Sequence, residues 1–400
     1  MFNRHQYIEK EHQKLGSENL SKFSLAHYRN FVVQNNLDYR YILSAMRTET
    51  QRIMTEKEHA KFSADNIKPN IEFCGKTPQH NSDCVEVVRT KHEKLATRGL
   101  AMCGLVWRCP ICSLKIMNGK KDELNEMVKA HFSKGRKIGF LTLTIRHKKK
   151  DDLDDTLFKI NDNYRRFQQT RQFREFKKKH LIGQVKALEI TFTYQNGWNP
   201  HLHLLYFYNH SDEKQIEKEQ KAIISKWAKF RNNNSLVRGQ DQQVAYDNHI
   251  VEYEAKMDII NEITMSDLKK AKGFTPFQAL RMIATKDYAD NKKRQFLVSR
   301  FREYVNYTQG RHRLFISKGI KDEYRIIEKD DNHHLNNVDI EEVLLRFSHI
   351  IWLQLSTKKL APHVLNLLDY GGQDTVFQFL ESKGVKFDVK TDRDEINHII

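Results

Sequence analysis

The sequence predicts an α+β protein with helices packed on an antiparallel sheet, and three stretches carry that reading. Residues 137–147, KIGFLTLTIRH, are apolar or threonine on both faces, as a central strand requires. Residues 184–208 hold two β-rich runs, QVKALEITFTY and HLHLLYFY, on either side of QNGWNP. Asn196-Gly197 is a strong turn signal, so these runs form a hairpin. Between strand and hairpin, Leu153, Leu157, Ile160, Tyr164 and Phe167 recur at 3–4 spacing, the buried stripe of an amphipathic helix.

Four consecutive segments follow from the pattern. Residues 1–66 read as helical, with Tyr39, Tyr41, Ile42 and Met46 at loose helical spacing. Residues 67–135 hold all five cysteines: Cys74, Cys84, Cys103, Cys109 and Cys112. Cys109-Pro110-Ile111-Cys112 is a C-x-x-C knuckle, the usual half-site of structural Zn²⁺. Cys103 supplies a third ligand and Cys84 the fourth, although spacing alone does not choose between Cys84 and Cys74, and His80 is a further substitute. A redox C-x-x-C fits less well, because a thioredoxin-like strand-then-helix setting is missing. A helix over 113–131 ends before Gly135.

Residues 136–325 form the main α+β body. Its first strand runs into a basic tip containing Arg146 and Lys148, suited to backbone phosphates. The helix that follows carries Arg165 and Arg166 on its outer face, and its tail holds Arg171, Arg174 and Lys177 to Lys179. A second helix over 211–230 starts with Asp212 and Glu213 and ends with Lys226, Lys229 and Arg231, matching the helix dipole. A further strand is expected over 242–250, then a helix over 251–260 that puts Tyr253 and Lys256 on one face. Thr275 and Pro276 read as the N-cap and first residue of another helix. Residues 326–400 read as a C-terminal helical domain, from the spacing of Val343, Leu344, Phe347, Ile350, Ile351 and Leu353.

Charge narrows the function. The 68 Lys and Arg against 51 Asp and Glu leave a formal net charge of +17, which favours a polyanion partner, nucleic acid above all. With no run of 18 apolar residues and no apolar core near the start, no membrane span or secretory signal is expected, and the cytoplasm is the default location.

The chemistry centres on NPHLHLL, residues 199–205. On a strand, His201 and His203 point to one face. With a turn centred near Asn196 and Gly197, the partner of His203 falls near Thr191 or Ile190, and Glu189 lies within about one register step. A carboxylate beside two imidazoles makes a three-ligand site suited to Mg²⁺ or Mn²⁺, with zinc as another occupant. A tyrosine near such an ion and a lysine is an apt nucleophile for a phosphodiester, which points to Tyr253 and Lys256.

FLTLTIRH, GWNPHLHLL and YEAK, in that order, resemble motifs one, two and three of rolling-circle plasmid replication initiators of the HUH endonuclease superfamily. MCGLVWRCPICSLKI before them, and GFTPFQALRMIATKD and FREYVNYTQGRHRLFISKGI after them, are similar to flanking segments of one branch, so the resemblance covers roughly 84–325. It implies an HUH/RRM-like catalytic core, with Glu189, His201 and His203 binding the metal. It implies that Tyr253 nicks one strand and becomes linked to the 5′ phosphate, that Lys256 assists, and that the strand is later rejoined. The implied partners are single-stranded or hairpin-extruded origin DNA, a host helicase and a DNA polymerase. Members often carry His where Asn199 stands here. Motif three lacks a second catalytic tyrosine at Y-x-x-x-Y spacing, Glu252, Glu254 and Glu262 are all candidates for the acid that activates water, and Tyr288 and Tyr304 are outside candidates for the nucleophile. The alternatives are a transposase or relaxase of the same superfamily and a non-catalytic zinc-knuckle regulator.

Overall fold

A computed structural model describes residues 25–55, 70–79, 82–233, 241–245, 274–327, 329–336 and 339–385. In chain order the helices and strands are α1 (Leu25–Gln34), α2 (Tyr39–Thr55), β1 (Val85–Thr90), β2 (Leu95–Arg98), α3 (Pro110–Ser133), β3 (Ile138–Thr144), α4 (Leu153–Gln168), α5 (Arg171–His180), β4 (Leu181–Thr193), β5 (Gly197–Tyr208), α6 (Glu213–Lys229) and β6 (Asp241–Ala245). They continue as α7 (Pro276–Thr285), α8 (Asn291–Tyr307), β7 (Leu314–Ile316), α9 (Lys318–Tyr324), α10 (Asp331–Asn336), β8 (Ile340–Phe347), α11 (His349–Thr357) and α12 (Ala361–Ser382). The α+β class with antiparallel sheets is as the sequence predicts. No helix among the described residues is long and apolar enough to cross a membrane.

Contacts group the chain into two compact units. One comprises Met1–Ala45, Ser63–Cys103 and Leu335–Ile400, the other Met46–Phe62 and Gly104–His334. The second unit holds a five-stranded antiparallel sheet in the order β6-β3-β5-β4-β7. β5 is central, with β3 and β4 on either side, and both of its faces are covered. On one face Ile138, Phe140, Val185, Leu205 and Phe207 pack against Leu124, Met127 and Val128 of α3 and Ile320 of α9. Each such buried side chain contributes about 1.5–3 kcal/mol of transfer free energy. Toward the other face, the Tyr164 hydroxyl of α4 donates to Gln184 at 3.1 Å, and Trp227 of α6 donates to the Thr144 carbonyl at 2.8 Å. Phe176 of α5 meets the rings of Tyr206 and Tyr208.

Local chemistry sets the helix ends. α3 starts on Pro110 directly after Cys109, and the chain turns away at Gly135, φ 69°. α7 opens on Thr275 as N-cap with Pro276 as its first residue, as expected from the sequence, and Gln278 completes a capping box. The amphipathic helix after β3 is shorter than its pattern suggests. Thr170 accepts from Phe173 N and starts a new helix, so the basic tail from Arg171 onward belongs to α5.

The first unit holds the sheet β2-β1-β8, also antiparallel. The reading of 326–400 as wholly helical is corrected here. Val343, Leu344 and Phe347 lie on strand β8, while Ile350, Ile351 and Leu353 lie on α11. A short apolar run fits either period, and pairing with β1, Val85 opposite Phe347, decides it. Val85, Val87, Phe347, Trp352, Leu367 and Phe379 form the core of this unit.

His131 on α3 gives the sheet-bearing unit a defined acid sensitivity. Its Nε2 faces the Lys137 carbonyl at 2.9 Å, and its Nδ1 meets the Tyr324 hydroxyl at 2.6 Å. One donor and one acceptor suit a neutral ring, and burial pushes its pKa down to about 4. The unfolded chain takes up that proton near pH 6.5, so this contribution is complete above 6.5 and is lost as pH falls toward 4. It amounts to about 3 kcal/mol. His131→Gln should flatten the stability profile between pH 6.5 and 4 relative to wild type in denaturant titrations; parallel profiles would contradict this assignment.

Candidate metal centre on the central hairpin

Residues 194–196 form the hairpin loop, and Gly197 is the first residue of β5 with φ +75°. A Cβ at Gly197 would stand 2.6 Å from the Lys149 carbonyl oxygen, so only glycine fits here without a shift. The loop is thus centred on Gln195, and the register follows: Thr193 opposite Gly197, Glu189 opposite His201, Ala187 opposite His203. This corrects the expected pairing of His203 with Thr191 or Ile190. Gly197 begins the return strand instead of completing the turn, and that shift sets Glu189 directly across from His201.

The three side chains meet. Oε2 of Glu189 lies 2.5 Å from His201 Nε2 and 2.9 Å from His203 Nε2. The rings stand 4.8 Å apart, nearly edge to face. Both rings are held from behind. His201 Nδ1 faces the Asn199 carbonyl at 3.1 Å, and Thr142, opposite His203 on β3, places its hydroxyl 3.1 Å from His203 Nδ1. Phe140 stacks on the His203 ring at 5.6 Å. The side chains of His201 and His203 are 12% and 6% exposed and that of Glu189 is 22% exposed, so the group is shielded but reachable.

Burial alone would push the Glu189 carboxyl up. The charge on His201 and hydrogen bonds from both rings outweigh it and hold Glu189 well below the usual carboxylate range. His201 shows the mirror image: burial would lower it, and Glu189 raises it. Two imidazole nitrogens and one carboxylate oxygen, all within 4.8 Å of one another, are the donor set of a divalent ion. The outward hydrogen bonds fix ring orientation, as metal-ligating histidines require.

The cysteines divide between the two units: Cys74, Cys84 and Cys103 belong to the first, Cys109 and Cys112 to the second. Cys109 and Cys112 are buried at the start of α3, with Cys109 as its N-cap residue. Burial pushes the Cys84 thiol up.

The basic residues divide. Arg146 and Lys148 are exposed on the tip after β3, which lies against the hairpin turn through His147 Nδ1 and the Asn196 carbonyl, 3.1 Å apart. Arg165 and Arg166 are both paired with Asp162, at 2.6 and 2.8 Å, and Arg231 joins the same carboxylate at 2.7 Å. Tyr253 and Lys256, the helix expected over 251–260, the acids Glu252, Glu254 and Glu262, and His80 lie outside the described residues. Tyr304 is buried in contact with Trp107 and Phe277, a packing position.

Residues 96–234 match a family model described as a replication protein. A "Protein rep" of Streptomyces lividans is 25% identical over 296 residues, 58% of this chain and 65% of the relative. A "Protein rep" of Staphylococcus aureus is 25% identical over 152 residues, 36% of this chain and 64% of the relative. A zinc finger-containing ubiquitin peptidase 1 of Homo sapiens is 31% identical over 108 residues, 27% of this chain and 18% of the relative. The chain spans less than two thirds of the length of these relatives. No solved structure matches it.

Proposed function

We propose that this chain, whose residues 96–234 match a replication-protein family model, is a plasmid rolling-circle replication initiator that nicks one strand of origin DNA and later rejoins it. The observation that carries this reading is the convergence of Glu189, His201 and His203 from two adjacent central strands onto one point. A protein that only bound DNA would have no use for such a shielded, oriented donor set. The core would be of the HUH type, with Tyr253 as nucleophile.

In the cutting step the Tyr253 phenolic oxygen attacks the scissile phosphorus, and the proton it gives up is matched by the one taken up by the departing 3′ oxygen. The bond from phosphorus to the 3′ oxygen breaks. The 5′ phosphate is then joined to tyrosine, and a free 3′ hydroxyl is left for a polymerase. Rejoining is the reverse, with a 3′ hydroxyl displacing the tyrosine. One phosphodiester replaces another in each direction, so no external energy is needed. Mg²⁺ or Mn²⁺, bound by Glu189, His201 and His203, would polarise a non-bridging phosphate oxygen. Asn199 and Thr142 hold the two rings in ligating orientation, and Lys256 offsets developing charge. A host helicase and polymerase would complete replication, in the cytoplasm. Incubation with single-stranded origin DNA and Mn²⁺, with and without chelator, tests this. Metal-dependent nicking is expected; retained binding with no cleavage would leave a non-catalytic regulator.

Structural Zn²⁺ would be held by the C-x-x-C knuckle Cys109 and Cys112 with Cys103, and by Cys84 or Cys74 as the fourth ligand. Cys109→Ser should then release about one equivalent of zinc, as measured by elemental analysis of the purified chain. An unchanged zinc content would remove the knuckle from the ligand set.

Arg146 and Lys148 would be the phosphate contacts on the tip: both are exposed, whereas Arg165 and Arg166 are paired with Asp162. The double change Arg146→Ala, Lys148→Ala should weaken DNA binding across sequences and lower the slope of log affinity against log salt by about two. An unchanged slope would remove the tip from the interface.

A further inference from the structure

A second convergence on this hairpin is unused by the nicking site, and no sequence motif singled it out. His180 ends α5, His210 lies two residues past β5, and Glu219 is on α6. Their ligand atoms all lie within 4.8 Å of one another. His180 Nδ1 stands 3.1 Å from Glu219 Oε1, and the rings of His180 and His210 meet edge to face at 5.5 Å. The place is enclosed: the side chains of His180 and Glu219 are only 13% and 14% exposed. Fully buried Tyr208 sets its ring 5.4 Å from that of His210.

The register explains why these residues meet. Leu181 pairs with Tyr208, so the chain entering β4 and the chain leaving β5 run side by side. Gly139 on the neighbouring strand lets Gln220 of α6 and the Tyr208 ring come close; a Cβ there would stand 2.1 Å from Gln220 Nε2 and 2.8 Å from the ring.

Three buried atoms in this group lack a hydrogen-bond partner: His210 Nε2, Glu219 Oε2 and Tyr208 Oη. Buried polar atoms are nearly always paired, so three orphans at one spot point to a shared missing ligand. Two imidazole nitrogens and a carboxylate are the donors of a three-ligand zinc-type site, with the fourth position left for water or the phenol.

We propose that His180, His210 and Glu219 form a second, structural site for a divalent transition ion of the zinc class, fastening the α5–β4 junction and the end of β5 to α6. It is separate from the nicking centre. Glu189 lies eight residues along β4 from Leu181, about 26 Å at strand rise. Tyr208 and His203 also point to opposite faces of β5. The site does not depend on the nicking reading.

Cadmium NMR on the chelator-stripped full chain tests it, because sulfur-coordinated and nitrogen/oxygen-coordinated cadmium resonate apart. Two nitrogen/oxygen signals are expected. One should vanish in His201→Ala, His203→Ala, and the other in His210→Ala. Should His210→Ala unfold, Glu219→Gln, which keeps the side-chain size, decides: cadmium affinity at the remaining site should fall by more than about tenfold. A further readout is thermal: in the His201→Ala, His203→Ala background Zn²⁺ should raise the Tm, and Glu219→Gln should shrink that rise to the part the cysteines contribute. No nitrogen/oxygen signal surviving in the His201→Ala, His203→Ala chain, or one indifferent to both His210→Ala and Glu219→Gln, would overturn the site; water filling the space would give that result.

Discussion

His203→Ala should reduce origin nicking by about a thousandfold while leaving DNA binding within a few-fold of wild type. His203 sits on the central strand between Ala187 and Thr142, and its Nε2 shares one carboxylate oxygen with His201. Removing it deletes one of three donors and leaves Glu189 without one of the groups that hold it ionised. Loss of several kcal/mol of charge stabilisation at the phosphate corresponds to about three powers of ten in rate. Phe140 stacks on this ring, so some stability is lost as well. Glu189→Gln is the control for that loss: it keeps the side-chain size, it cannot supply the charge, and its nicking rate should fall comparably. Single-turnover cleavage of labelled origin DNA at saturating protein measures both. A variant that nicks within about tenfold of wild type would remove these residues from the metal site.

Tyr253→Phe should abolish the covalent protein–DNA adduct, a loss of at least about 10⁴-fold. The phenolic oxygen is the proposed attacking atom, and phenylalanine keeps the ring while removing only that atom. Metal binding, zinc content and DNA affinity should stay as in wild type, because no proposed ligand or phosphate contact is touched. Denaturing gels of the protein with labelled DNA report the adduct directly. An adduct formed by the Tyr253→Phe chain would move the nucleophile elsewhere, and Tyr288 would be the next residue to change.

How much of this was legible depended on whether one segment or several had to be known. The hairpin and its histidines were readable, because alternation and an Asn-Gly turn are local signals. The register was not. Gly197 stands close to the Lys149 carbonyl, on the basic tip after β3, a contact from outside the hairpin that the local pattern does not carry. The break at Thr170 was hidden by a basic run compatible with one long helix or two. Strand β8 was misread for a related reason: eight residues containing Val343, Leu344, Leu345 and Phe347 fit both periods, and only pairing with β1, some 250 positions earlier, selects one. The group of His180, His210 and Glu219 had no spacing signal at all, since it is assembled by chain reversals. Charge, by contrast, needed no fold to be read.

The central claim is that a tyrosine attacks phosphorus beside an ion held by Glu189, His201 and His203. Mass spectrometry of the peptide left joined to cleaved origin DNA, with and without Mn²⁺, tests it most directly. The account predicts a nucleotide attached at Tyr253 through its 5′ phosphate, formed only with the metal present. Attachment at another residue, or an adduct of equal yield after chelation, would contradict it.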